Sequence, residues 1–134
     1  SCHSIESAKY LIHYGKVKFI QLDAGIAGGS LAGNEICHFA EKNNVQYVNH
    51  TFTSHLQLSS SIQPYASSTF SIYADYPMQL KSLAWDITEN HITKDHNGMI
   101  NLPLDVGHGM KINQKALEQY NVDVEIFVNK KQLF

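Results

Sequence analysis

An α/β fold with parallel strands is predicted by three features of this chain. Helical and strand-like stretches alternate from Ser4 to Tyr73, α-β-α-β-α-β, with short connections between them. The apolar runs at Val17–Leu22 and Val45–Val48 are too apolar for strict alternation, which suits strands covered on both faces. Between them lie one Gly-rich turn and one amphipathic helix, the crossover that a parallel pair requires.

Each element has its own signal. Ser4–Tyr14 carries Ile5, Ala8, Leu11 and Ile12 at helical spacing, with Ser4 as cap and Gly15 where a helix-ending glycine belongs. Gly25, Gly28 and Gly29 permit a tight turn after the first strand. The run GIAGG lacks the full GxGxxG spacing and the lysine of a P-loop, so turn geometry is a better reading than a phosphate cradle. Ser30 is the expected cap of the crossover helix, whose buried stripe is Ala32, Ile36, Phe39 and Ala40. Asn43-Asn44 ends it. Leu56, Leu58 and Ile62 suggest a third helix broken near Pro64. Thr69–Tyr73 is the third strand, closed by Asp75-Tyr76-Pro77. The last third changes character. Two short β-like runs flank Asn97-Gly98, a hairpin turn signal; Gln114–Tyr120 forms a short helix; Val122–Val128 alternates like a strand with one wet face. Trp85 and the tyrosines read as packing, and His91, His96 and His108 as surface residues.

Composition narrows the function classes. At 134 residues the chain is one domain or part of one, and 43% hydrophobic with 16% charged residues suffices for a core. A formal net charge of −2 gives no electrostatic case for nucleic acid or an anionic membrane. No apolar run approaches the roughly 18 residues of a membrane span. The start, SCHSIESAKY, lacks the features of a signal peptide. Cys2 and Cys37 have neither the number nor the spacing of a disulfide framework or zinc knuckle, and are expected as reduced thiols in a cytoplasmic protein. The eight histidines are scattered, without an HxH or HExxH pattern.

Two residues stand out by position. Asp23 ends the first strand and His50 ends the second. Parallel strands joined by a crossover put these two ends on the same side of the sheet, on neighbouring strands. An Asp beside a His at the C-terminal rim of an α/β sheet is the arrangement of an acid–base pair.

The run IQLDAGIAGG, one crossover helix, then VQYVNH and ADYP resembles the C-terminal half of the barrel domain of the mandelate racemase/muconate lactonizing enzyme family, in the enolase superfamily. The resemblance implies part of a (β/α) TIM barrel over residues 1–80. Val17–Asp23 matches the sixth strand, Val45–His50 the seventh and Thr69–Asp75 the eighth. Residues 81–134, with hairpin, short helix and final strand, match a segment that normally packs on the family's capping domain. In the mandelate racemase branch an Asp ending the sixth strand hydrogen-bonds a His ending the seventh, which implies catalytic roles for Asp23 and His50. Asp75 matches a glutamate of the eighth strand and, with His55, is a candidate substrate contact. A PGLG turn of the family is replaced by Val106-Gly107-His108-Gly109.

The implied chemistry is abstraction of a proton alpha to a carboxylate, with Mg²⁺ stabilising the enediolate and a histidine base near neutrality. The family's Mg²⁺ is held by three carboxylates on earlier strands. Glu6 does not match any of them, so the ligands are expected upstream, and the chain reads as a fragment without the metal site. The expected substrate is a small carboxylate, most fittingly an acid sugar undergoing dehydration, because one Asp–His pair supplies both base and acid. The alternatives are a racemase or epimerase of a hydroxy acid, or a non-catalytic scaffold with unpaired strand edges. The full-length parent is expected to be a homo-oligomer. A dinucleotide-binding βαβ unit is set aside, because its second strand would end in an acidic residue rather than Asn49-His50.

Overall fold

The computed structural model describes residues 1–125 and 127–132. The helix α1 spans Ile5–His13 and begins at an extended Ser4, whose hydroxyl accepts the Ser7 N–H. Gly15 does not end it through a left-handed backbone; that conformation falls on Lys16, with φ 52°. A Cβ at Gly15 would instead lie 2.7 Å from the Leu11 carbonyl oxygen, so close approach is what the glycine serves.

Strand β1, Phe19–Leu22, pairs in parallel with β2, Gln46–Asn49, in the register Phe19↔Gln46 to Leu22↔Asn49. The expectation of cover on both faces is corrected. Ile20, Leu22, Tyr47 and Asn49 are buried under the helices, whereas Phe19 is 52% exposed and Gln21, Gln46 and Val48 are half-buried. One face is core and the other is open, and Asp23 and His50 continue the open face. The N-terminal Cys2 lies along the other edge of β1, its N–H donating to the Gln21 carbonyl and its carbonyl accepting from Asp23 N–H.

The Gly-rich turn is itself helical. The single turn α2, Ala24–Ala27, is followed by Gly28 and Gly29 at φ 120° and 80°, values that glycine adopts without a Cβ penalty. The crossover helix α3, Gly29–Lys42, then starts at a Gly28 cap, so Ser30 lies inside it rather than capping it. Its Ile36, Cys37 and Ala40 pack with Ala8 and Ile12 of α1 and with Ile20, Leu22 and Tyr47 of the sheet. Each such buried Ile or Leu stabilises the fold by about 1.5–3 kcal/mol. The exposed Lys9–Glu35 pair joining α1 to α3 adds little beside that.

Helix α4, His55–Ile62, is capped by Ser54. The α-helix ends at Ile62, beside Pro64 as expected, and a 3-10 helix, Gln63–Ser67, follows with Pro64 in its first turn, where a missing N–H costs nothing. The third strand expected at Thr69–Tyr73 does not form a ladder. The two N–H groups on the free edge of β2 are already taken: Tyr47 N–H donates to the Ser71 hydroxyl at 2.9 Å and Asn49 N–H to the Tyr65 hydroxyl at 3.1 Å. Residues 69–75 therefore follow β2 held by side chains. Two hydrogen-bonded parallel strands are present among the described residues.

Beyond this lie the helices α5, Ser82–Asp86, and α6, Gln114–Tyr120. Asn97-Gly98 turns a hairpin as expected, but through an Asp95–Gly98 turn with only Gly98 at positive φ, bridged at Lys94↔Ile100. Ile92 joins Leu58 and Ile62 of α4 in a second apolar cluster. Of the expected Val122–Val128 strand, residues 122–125 are not strand and residue 126 lies outside the described residues; β3, Phe127–Val128, pairs antiparallel with β4, Lys131–Gln132.

Candidate active site

The parallel register delivers the site. His50 N–H donates to the Leu22 carbonyl at 3.1 Å, which sets His50 beside Asp23 at the C-terminal end of the pair. The imidazole Nδ1 lies 2.9 Å from Asp23 Oδ2. A carboxylate accepts only, so Nδ1 carries the proton and Nε2 is the nitrogen free to exchange one. The His50 side chain is 18% exposed, enough to meet a ligand. Phe52 packs its ring edge-to-face with the imidazole at 4.4 Å between centroids.

Asp23 is the better buried partner, and three donors converge on it. Oδ1 accepts the Ile26 N–H at 3.2 Å, capping α2, and the Gln57 Nε2–H at 3.0 Å; Oδ2 serves His50. Gln57 carries no site signal of its own in the sequence, and Gln21, part of the IQLDAGIAGG run but given no site role there, stands two residues before Asp23 on the same open face. Gln21 Nε2 donates to Asp75 Oδ2 at 3.3 Å. Asp75 is thus brought onto the open face with its carboxylate half-buried and its backbone clamped by Asn49.

His55 is a correction. Expected as a substrate contact, it opens α4 with its ring fully buried and not at a solvent-facing site. Its Nδ1 accepts the Ile92 N–H at 3.2 Å, and the ring meets Trp85 and His91 edge-on. Burial, with the His91 charge adding to it, pushes the His55 imidazole below its ordinary value. Trp85 and His91 stack on one another at 3.9 Å, so His91 serves packing as well as surface.

A cleft of about 460 Å³ is lined by Phe52, Thr53, Lys81, Leu83 and Ile87 among others, with neither Asp23 nor His50 in its lining. Phe52 lines that cleft and also touches the His50 ring. Among the described residues no three His, Cys, Asp or Glu side chains stand together as a metal site. With both Asp23 oxygens engaged, the described residues do not fit the Mg²⁺ expected from the resemblance. No helix among the described residues is long and apolar enough to cross a membrane.

Residues 1–116 match the family described as Enolase C-terminal domain-like. The chain is similar to the solved structure of a predicted mandelate racemase from Rhodobacter sphaeroides, at 38% identity and a TM-score of 0.88 over 99% of this chain and 34% of that one. It is similar in fold to a mandelate racemase/muconate lactonizing enzyme from Jannaschia sp. CCS1, at 15% identity and a TM-score of 0.78 over 93% of this chain and 31% of that one. The same holds for the 3,6-anhydro-D-galactonate cycloisomerase from Zobellia galactanivorans, at 24% identity and a TM-score of 0.75 over 87% of this chain and 32% of that one. The chain spans about one third of the length of these structures. No curated protein matches it.

Proposed function

We propose, from the premise that this chain belongs to the enolase C-terminal domain-like family and its mandelate racemase/muconate lactonizing enzymes, that Asp23 and His50 are the proton-transfer pair of a lyase acting on a hydroxy acid. The observation that carries this reading is the 2.9 Å contact between His50 Nδ1 and Asp23 Oδ2, with Nε2 left free on the open face.

His50 Nε2 takes the proton from the carbon alpha to the substrate carboxylate. The ring becomes an imidazolium, and the adjacent Asp23 carboxylate stabilises that positive charge. The same Nε2–H then protonates the hydroxyl leaving the neighbouring carbon, which departs as water. The resulting enol tautomerises to a 2-keto acid. One pair thus acts first as base and then as acid, which favours dehydration of an acid sugar; racemisation requires a second acid–base group across the carbon. Phe52 shields one side of the ring from water.

Superfamily members typically use Mg²⁺. No step here runs through it, and its carboxylate ligands are assigned to other parts of a longer parent polypeptide, which we also propose to be a homo-oligomer. The test is to assay that full-length protein with Mg²⁺ against a panel of acid sugars for 2-keto acid product. Turnover that survives His50→Asn would remove the base assignment.

A further inference from the structure

We propose that Gln57 is a positioning residue, whose carboxamide holds the Asp23 carboxylate and through it the His50 ring. The proposal rests on the acid–base reading of that pair and adds the part that keeps it aligned.

Gln57 is the third residue of α4, after the Ser54 cap, and its own N–H donates to the Ser54 hydroxyl at 3.2 Å. Ser-x-x-Gln is the pattern of a capping box, in which the glutamine side chain folds back toward the cap's backbone amide. Here the side chain goes elsewhere. Its Nε2 donates to Asp23 Oδ1 at 3.0 Å, and its Oε1 accepts the Thr53 hydroxyl. The carboxylate accepts only, so the NH₂ end of the carboxamide faces Asp23 and Oε1 is turned toward Thr53. One side chain therefore ties the loop after β2, which also carries Phe52, to the end of β1. A residue that gives up a local rule for a contact at a charged pair is where function is expected to show.

Gly25 supplies an independent observation. It sits in α2 with a helical backbone and no positive φ, so its conformation does not require glycine. A Cβ built there would lie 2.3 Å from Gln57 Nε2 and 2.8 Å from its Cδ. The missing side chain leaves space for the carboxamide. Alanine at this position would suit the helix better and evict the amide from Asp23, so its effects on stability and on the pair have opposite signs. Without Gln57, Oδ1 keeps only the longer bond from Ile26.

The experiment uses the full-length protein with Gln57→Leu, Gly25→Ala and the double variant. Histidine side-chain ¹⁵N spectra, with His50 assigned through His50→Asn, read the tautomer without any substrate. The wild type should show His50 as the single Nδ1–H tautomer, and both single variants a mixture. On the dehydration substrate, kcat should fall about ten-fold with KM little changed. The double variant should be no worse than either single one, because both remove one contact. Gly25→Ala guards against misfolding, since it should melt no lower than wild type. An unchanged tautomer in both folded variants, or single effects that multiply in the double variant, overturns the proposal. A tautomer that shifts in a protein with no turnover on any acid sugar supports the positioning role while removing the assigned reaction.

Discussion

Asn49 and Asp75 exchange two hydrogen bonds across the gap where a strand ladder was expected. Asn49 Nδ2 donates to the Asp75 carbonyl, and the Asp75 N–H donates to Asn49 Oδ1, each at 2.9 Å. The carboxamide imitates a peptide group and closes the edge of β2. Asn49 is fully buried, so removing it strands both Asp75 groups. Asn49→Ala should destabilise the protein by about 2–3 kcal/mol in denaturant unfolding. An unshifted midpoint would show that residues 69–75 are held by something else.

The pair itself separates charge from shape. Asp23→Asn keeps an oxygen to cap α2, since Asn caps as well as Asp, but removes the carboxylate charge facing His50. It should fold like wild type and lower kcat by about 10⁴-fold, as loss of the orienting carboxylate does in other acid–base pairs. Asp23→Ala should lose the same activity and, in addition, about 1 kcal/mol of stability with the cap. Thermal melts alongside kinetics distinguish the two; equal melting of both variants would show that the cap contributes nothing.

The buried His55 gives the fold a pH dependence of definite sign. Its imidazole is held below the ordinary value of 6.5 in the folded state, so the unfolded chain binds more protons in that window. The stability held in its neutral form is complete above about 6.5 and drains away as pH falls toward the lower folded value. Urea midpoints between pH 8 and 5 should therefore decline on acidification. In His55→Asn, which keeps an acceptor for the Ile92 N–H, this part of the slope should vanish. A wild-type slope retained in that variant would assign the effect to another group.

Cys37 should be silent. It is fully buried between α3 and the 3-10 helix, and burial, with Glu41 adding to it, raises its thiol above the ordinary range. Thiolate is the reactive form, so a thiol reagent at neutral pH should label Cys37 only after denaturant is added. Labelling in native buffer at the rate of a free thiol would show that this part of the core opens.

The segment from α1 to β2 was legible because its signals are local. The apolar runs set the strands, a glycine-bearing turn and one helix set their parallel sense, and parallel sense alone places Asp23 beside His50. What failed depended on distant partners. Thr69–Tyr73 reads as a strand, but hydroxyls of Ser71 and Tyr65 occupy the amides that it would have bonded. His55 reads as a candidate substrate contact because the residues that cover it, Trp85 and His91, come thirty or more positions later. Ser30 lost its capping role when Gly28 turned the chain two residues sooner. Gln57 was half-visible: Ser54-His55-Leu56-Gln57 announces a capped helix, and only the space above Gly25 reveals where its side chain goes.

Asp23 caps a helical turn with one oxygen and serves an imidazole with the other. Its two duties are separable in principle, and they answer to different pressures. A descendant without the proposed proton transfer would still profit from the same aspartate as a fastener for the backbone, whereas the ring of His50 has no comparable architectural task. Among diverging copies of this protein the histidine, not the acid, is therefore the position whose loss would mark the absence of that proposed chemistry.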